Sequence, residues 1–445
     1  MSTDPSGSLA MHPEDITASV PLEGVSGCSA GGLKPPVPAL AAGRLPRLRS
    51  LDALRGFDMF WIIGGGALIE AIAEYWSTPG FKAVTGQLEH VKWHGFQFED
   101  LIFPLFLFIS GVTMPFALVS RLERGEGKGG LYWRIGRRVV LLVFLGLVVN
   151  GLFKCDFAHQ RYCSVLGRIG LAYGLAAVIV INAGVRVQLL SFIGLLVAYW
   201  AALRYIPVPG VGAGRWDDQS TCLAGYVDRL LVPGKLYRGD HDPEGLLSTV
   251  PAVSTALLGA MAGHWLRGAR PGGVVKALGL VVAGLVGLFL GLVIGGGDLP
   301  GLTEFWGGLF NSLPESWRQG IAGLPEFCRQ WKPLFPINKN LWSSSFVLYA
   351  GGWSLLLLGL FYLVIDVIGL WRWSFVFIVI GLNPITIYVG QRFIDFRAAA
   401  DFFFQGAVHR WAAEAAWPML SQAGEFLLVW LFLYFLYRKK VFLKV

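Results

Sequence analysis

Predominantly apolar stretches recur along the chain, each close to the length that carries a helix across a bilayer, with polar segments between them. They cover about residues 51–71, 101–119, 139–153, 165–183, 187–206, 249–266, 275–295, 343–365, 373–391 and 421–437. The pattern predicts an all-α fold, a polytopic transmembrane bundle of about ten spans. Two further segments are mixed. Residues 304–332 are rich in Trp, Pro and Gly, and 398–420 combine aromatics with His409, Arg410 and Glu414, so both read as interfacial segments on the outer surface. The alternative for 398–415 is an eleventh span, which would put the basic C-terminus outside. Residues 1–43, rich in Ser, Gly, Pro and Ala, lack the basic-then-apolar order of a signal peptide and read as a disordered tail. The first span then serves as its own insertion signal. Residues 44–445 form the membrane domain, with outer insertions at about 207–248 and 298–342.

Composition agrees: 54% of residues are hydrophobic, 15% are charged, and the mean hydropathy is +0.57, outside the range of ordinary soluble domains. The net charge of +8 sits in short loops rather than in one stripe, which argues for membrane orientation and against a nucleic-acid partner. Arg121, Arg124, Lys128, Arg134, Arg137 and Arg138 mark a cytoplasmic loop. By parity Arg267, Arg270, Lys276, Arg372, Arg438, Lys439, Lys440 and Lys444 fall on the same side, and both termini are cytoplasmic. The loop 204–248 is the exception, placed outside although it carries basic residues among a slightly larger number of acids. No Cys or His spacing suggests a metal or redox site. Cys155, Cys163, Cys222 and Cys328 fall in outer loops and Cys28 in the tail, so bridges Cys155–Cys163 and Cys222–Cys328 are expected if the outside is oxidising.

The richest chemistry lies in His90–Ser110. There His90, His94, Glu99 and Asp100 sit against the start of the second span. Ionisable groups at such a mouth read as a functional site, or else as a helix-dipole carboxylate with Trp93 as an interfacial anchor. The first span carries Asp52, Arg55 and Asp58, then Gly64, Gly65 and Gly66. Asp52 and Arg55 read as an ion pair at the membrane edge, and the glycines permit close approach of a helix or ligand. Gly279, Ala283, Gly287, Gly291 and Gly295 make a small-residue face, suited to packing within the bundle or to a homodimer. The polar motifs Asp242-Pro-Glu-Gly245 and Pro336-Ile-Asn-Lys-Asn-Leu-Trp342 open to the same non-cytoplasmic side as His90. The ninth span ends toward that side with Asn383 before Pro384, whose freed backbone groups call for a polar pocket in the outer half. Asn338 and Asn340 suit either helix capping or ligand contact.

Ser50-Leu-Asp-Ala-Leu-Arg-Gly56, His90 with Trp93 and Gly95, Asp100-Leu-Ile-Phe-Pro104, Asp242-Pro-Glu-Gly-Leu-Leu-Ser-Thr249, Ile337-Asn-Lys-Asn-Leu-Trp342 and Gly381-Leu-Asn383 occur in order over about residues 47–440. In these motifs the chain resembles the transmembrane acyltransferase family of lysosomal heparan-α-glucosaminide N-acetyltransferase and its bacterial relatives. The resemblance implies acetyl transfer from cytosolic acetyl-CoA to an amino-sugar or related glycan acceptor on the far side, in a bacterial inner membrane with the site mouth outward. It implies His90 as the catalytic histidine and associates Arg55 with the acyl-CoA donor; Asp52, paired with Arg55, and Arg138, facing the compartment that holds CoA, are further candidates for the donor site. The chain departs from the family at Ile62 and Ile63, where many members carry a helper asparagine. It departs again in the longer segment 304–332.

A protonated amine must lose a proton before attacking a thioester, which suits His90 as general base. A relay through acetylated His90 is the alternative. Asp100, Asp242 or Glu244 could orient the imidazole, while Trp93, Asn338, Asn340 and Asn383 could bind acceptor hydroxyls or the thioester oxygen. The rival class is a transporter or flippase of a small sugar-like molecule, weakened by the lack of an inverted hydropathy repeat.

Overall fold

The computed structural model describes residues 48–76, 78–296 and 333–442, and the regular elements among them are helices. The N-terminal tail, Cys28, Cys328 and most of the 298–342 insertion lie outside the described residues.

The first span opens as α1 (Arg49–Phe60), passes through one wide π-helical turn (Trp61–Gly65) and continues as α2 (Gly66–Trp76), 28 residues in all. Gly64 sits in that turn at φ 122°, a conformation an L side chain resists. The irregular turn leaves a backbone acceptor over: the carbonyl of Ile63 takes a hydrogen bond from Gln391 Nε2 at 3.1 Å. A short α3 (Pro79–Gly86) and an irregular loop lead back to the second span, α4 (Ile102–Met114), which ends in a π-helical turn and the single turn α5 (Ser120–Glu123).

The third span begins earlier than its hydropathy predicts. Helix α6 (Lys128–Val149) takes Arg134, Arg137 and Arg138 out of the expected loop, and Glu126 just before it pairs with Arg121 and Arg134. Next come α7 (Val165–Asn182), α8 (Val185–Tyr205), a short amphipathic α9 (Leu223–Leu231) inside the 207–248 insertion, α10 (Thr249–Arg267) and α11 (Gly273–Gly295). After the undescribed segment α12 (Ser344–Phe361) crosses, extended by a π-helical turn to Val367. The ninth expected span is two helices, α13 (Phe375–Gly381) and α14 (Pro384–Gly390), bent by 60° at Asn383–Pro384, as the missing N–H of an interior proline requires. Helix α15 (Phe396–Trp411) and the long α16 (Trp417–Arg438) complete the chain. Phe402, Phe403 and Trp411 of α15 are exposed.

Helices therefore stand at all ten expected positions. Seven are long and apolar enough to cross a membrane by themselves, and the bent α13–α14 pair makes an eighth. The remaining two, α6 and α10, are less apolar for different reasons. The first turns of α6 are basic. Helix α10 buries Ser254 and Thr255 among alanines and glycines, because it runs through the middle of the bundle against α4, α7 and α8.

Between lipid-bathed helices the hydrophobic effect gives little drive, so association rests on close packing of small residues. Gly111 and Gly259 bring α4 and α10 backbone to backbone, and Gly56 and Gly381 do the same for α1 and α13. The small-residue face of α11 is used within the chain: Gly284, Gly287 and Gly291 press on Gly352 and Tyr349 of α12. Packing within the bundle, one of the two uses considered from sequence, thus occupies Gly287 and Gly291 of that face. The apolar side chains Val282, Leu285, Val286 and Phe289 of α11 point outward, as a lipid-facing surface does. The expected bridge between Cys155 and Cys163 is absent, since both are free thiols, one exposed and one buried. Cys222 is likewise free.

The packing makes a test available. A Cβ at Gly56 would lie 1.6 Å from the carbonyl oxygen of Phe377, whereas at Gly136 it would meet nothing within 4 Å. Gly56→Ala is expected to lower the thermal midpoint of the purified protein, at a cost of about 1–3 kcal/mol. Gly136→Ala should leave it level or raise it. Equal midpoints for the two variants would show that α1 and α13 are not packed this tightly.

Candidate active site

The segment entering α4 is shaped by a reciprocal cap. Asp100 Oδ2 accepts the backbone N–H of Gln97 at 3.1 Å, and the Gln97 carbonyl accepts the backbone N–H of Asp100 at 2.9 Å, so the Asp100 side chain is folded inward and buried. A second loop, 333–343, docks on it through the N–H of Gly95, which donates to the Ile337 carbonyl at 2.8 Å. The second loop is fixed by its own side chains. Asn338 Oδ1 accepts the Leu341 N–H at 2.9 Å, and Ser343 Oγ accepts the Asn338 N–H at 3.0 Å. Trp342, at φ 52°, buries its ring against Phe103 and donates its indole N–H to Thr255.

Where the loops meet, three side chains converge. His90 Nδ1 is 3.0 Å from Asp100 Oδ1, and Lys339 Nζ is 3.2 Å from that same oxygen and 3.2 Å from His90 Nδ1. The Asp100 side chain is 1% exposed and the His90 side chain 57%. When Nδ1–H donates to the carboxylate, the second ring nitrogen is left as a base, which is the arrangement needed to take a proton from an incoming nucleophile.

Around this centre lie the other predicted residues. Trp93 donates its indole N–H to the Trp216 carbonyl at 2.9 Å and packs edge-on against His241. Next to it His94 sits between Asn338 Nδ2 at 3.3 Å and Asp217 at 3.2 Å, and burial lowers its pKa despite the pull of Asp217. The carbonyl of Asn340 is 3.0 Å from His241 Nε2. His241 is fully buried 3.7 Å from Asp228, and burial holds the imidazole down at about 4 and the carboxyl up to about 6.

Asp242 and Glu244 are engaged by Arg161. The guanidinium forks onto Asp242 at 2.7 and 2.6 Å, reaches Glu244 as well, and stacks on the Tyr237 ring at 4.5 Å. Burial alone would push the Asp242 carboxyl up, but Arg161 holds it below the usual carboxylate range. Arg168 lies behind them, fully buried against the Trp342 ring, with one nitrogen tied to the Gly245 carbonyl and Ser248. Burial pushes the Cys163 thiol up to about 12 and the Cys222 thiol up to about 11, so neither supplies a thiolate nucleophile.

The structure thus brings His90, Trp93, Asp100, Asn338 and Asn340 together. It places Asp242 and Glu244 in an adjoining ion-pair network. Asn383 is not brought to this cluster: its amide donates to the Val441 carbonyl, just past the end of α16. Asp52 and Arg55 face each other at 3.9 Å on α1, and Arg138 stacks on Tyr173 at 4.2 Å. A cavity of about 330 Å³ lies elsewhere, lined by residues 391–397 and Glu425. Lys339, Arg161, Arg168, Asp228 and His241 were not singled out by sequence reasoning. Lys339 could have been, since it lies between two asparagines already flagged. Arg161, remote in sequence from Asp242, gives no local sign of its partner. Among the described residues no group of three or more His, Cys, Asp or Glu could hold a metal.

Comparison with known proteins extends this picture. Residues 47–155, which include His90 and Asp100, match a family model described as a domain of unknown function, DUF5009. The chain is 27% identical over 467 aligned positions to heparan-alpha-glucosaminide N-acetyltransferase of Homo sapiens, and 26% identical over 468 to that of Mus musculus. Each alignment covers 90% of this chain and 60% of the relative, so the chain spans about three fifths of the length of the curated relatives it matches. The resemblance carried by the motifs is therefore a similarity along most of the chain.

The buried pair His241 and Asp228 makes a pH test possible. Unfolded, these groups titrate at about 6.5 and about 3.9. As the pH falls from about 6.5 to about 4, the unfolded chain takes up a proton at His241 that the folded chain refuses, and stability is lost. From about pH 6 to about 4 the folded chain takes up a proton at Asp228 that the unfolded chain lacks, and stability is gained. The two nearly cancel. His241→Asn should unmask the second, so that the variant gains stability on acidification over that window, relative to wild type, by up to about 1.4 kcal/mol per pH unit. Identical pH dependence of the two thermal midpoints would contradict it.

Proposed function

We propose that this chain is an integral membrane N-acetyltransferase that passes acetyl from cytosolic acetyl-CoA to an amino-sugar or related glycan acceptor on the other side. The membrane is then a bacterial inner membrane, with the His90 mouth outward. One observation carries the reading: a solvent-accessible imidazole joined through Nδ1 to a buried carboxylate at 3.0 Å, in a chain similar along 90% of its length to N-acetyltransferases.

Acetyl-CoA supplies an activated acyl group. His90 takes the proton that the acceptor amine must shed, and Asp100 keeps the ring in the tautomer with its base directed outward while stabilising the imidazolium that forms. Lys339, between Asp100 and His90, keeps the carboxylate charge balanced once the proton has been passed on. Trp93, Asn338 and Asn340 hold the walls against which a sugar would lie. Asp242 and Glu244, fixed by Arg161, keep the adjoining loop in register, and Asn383 steadies the kink in the ninth span. On the inner side Arg55, half-buried beside Asp52, offers a guanidinium of the type that binds phosphate, with Arg138 near the same end of the bundle.

Purified protein given acetyl-labelled acetyl-CoA and a panel of amino sugars should form labelled amide. His90→Ala should reduce the rate by at least about 100-fold with little change in thermal midpoint, because an exposed ring contributes little packing. Retention of most activity would remove His90 from the mechanism. Arg55→Ala should raise the KM for acetyl-CoA more than that for the acceptor, and Arg55→Lys should restore it only in part. An unchanged donor KM in a folded Arg55→Ala protein would leave Arg55 as the structural partner of Asp52.

A further inference from the structure

Asp58 lies on α1 with no exposure, and neither of its carboxyl oxygens has a hydrogen-bond partner among the described residues. The indole N–H of Trp61, three residues on and on the same helix face, is also without one. Two open acceptors and an open donor side by side inside a membrane bundle are costly, at about 1–3 kcal/mol for each buried polar group left unsatisfied. An apolar side chain such as those of Leu54 and Met59 would fill the position without that cost. Ionisable groups kept at this depth mark places where a ligand or ion completes them.

The surroundings define what completes this one. Phe57, Trp61 and Phe98 stand together, with ring centroids 5.8 Å apart for Phe57–Trp61 and 4.8 Å for Trp61–Phe98. Arg55, 3.9 Å from Asp52, is also within electrostatic reach of Asp58, as is a second acid, Glu99, so acids outnumber the one arginine here. That balance disfavours an anion, and aromatic faces favour a cation that can also donate hydrogen bonds. A protonated amine has these properties. Phe98, whose ring meets Trp61, lies in the same short turn as Glu99 and Asp100, so this spot adjoins the turn that carries Asp100, and Trp61, Phe98 and Glu99 are half-buried.

We propose that Asp58 and Trp61 are the recognition site for the acceptor's amino group, the ammonium donating to the Asp58 carboxylate and the indole N–H of Trp61 donating to a neighbouring sugar hydroxyl. The assignment rests on the acetyltransferase reading and adds to it the residues that recognise the acceptor's amine and the hydroxyl beside it.

The test is equilibrium binding of labelled glucosamine to the full-length protein in nanodiscs, with glucose and N-acetylglucosamine as competitors. Wild type should bind glucosamine at least tenfold more tightly than either competitor. Asp58→Asn should lose that preference while binding acetyl-CoA as before, Asp58→Glu should keep part of it, and Trp61→Phe, which retains the ring, should weaken glucosamine several-fold. Since Asp58→Asn removes a buried acid and keeps its shape, its thermal midpoint should not fall, which separates loss of recognition from loss of fold. Glucosamine binding unaltered in Asp58→Asn, or no preference for the amine in wild type, would overturn the assignment. Amine binding that depends on Asp58 without any acetyl transfer would uphold it and overturn the enzymatic reading instead.

Discussion

The carboxylate of Asp100 is the joint at which separate parts of the chain are tied. It receives the Gln97 N–H from its own turn, the imidazole of His90 from the loop before it and the ammonium of Lys339 from a loop more than two hundred residues later. A buried carboxylate is stable only when its charge is met by such partners, and one whose partners come from different loops holds those loops at fixed distances. The Gly95 to Ile337 hydrogen bond then reads as the backbone seam of the same joint. Without Asp100, nothing would oblige the ring of His90 to present one nitrogen to the protein and the other to solvent.

Around that joint the bundle solves a packing problem with glycine and an electrostatic one with paired ions. Gly56 with Gly381 and Gly111 with Gly259 let helices approach where dispersion is the main attraction. The loop that carries Asp242 and Glu244 is held by Arg161, an interaction whose loss would strand a fully buried acid. These devices keep the loops around His90 rigid enough to set distances of about 3 Å between side chains that are far apart in sequence.

Much of this was legible from residue order. Runs of apolar residues gave helices at the expected positions, and of the three acids the motifs offered to His90, Asp100 is the one in contact, a ten-residue separation across a tight turn. What hydropathy could not supply was the start of α6, where arginines extend a helix beyond its apolar part, or the central place of α10, whose serines and threonines look weakly membranous but are satisfied inside the bundle. Long-range pairing was the other blind spot. Arg161 carries no local mark of its bond to Asp242, and Asn383 looked suited to the outer pocket yet donates to Val441. A disulfide between Cys155 and Cys163 was plausible by spacing alone, but one thiol is exposed and the other buried.

The most direct test of the central claim uses sealed proteoliposomes carrying the wild-type protein, with acetyl-labelled acetyl-CoA on one face and glucosamine confined to the other. The account predicts labelled amide on the glucosamine side, formed without either substrate crossing the membrane and absent when His90 is replaced. Glucosamine appearing on the donor side with no labelled amide formed would contradict it, and would make the polar cluster around His90 part of a transport pathway rather than a reaction centre.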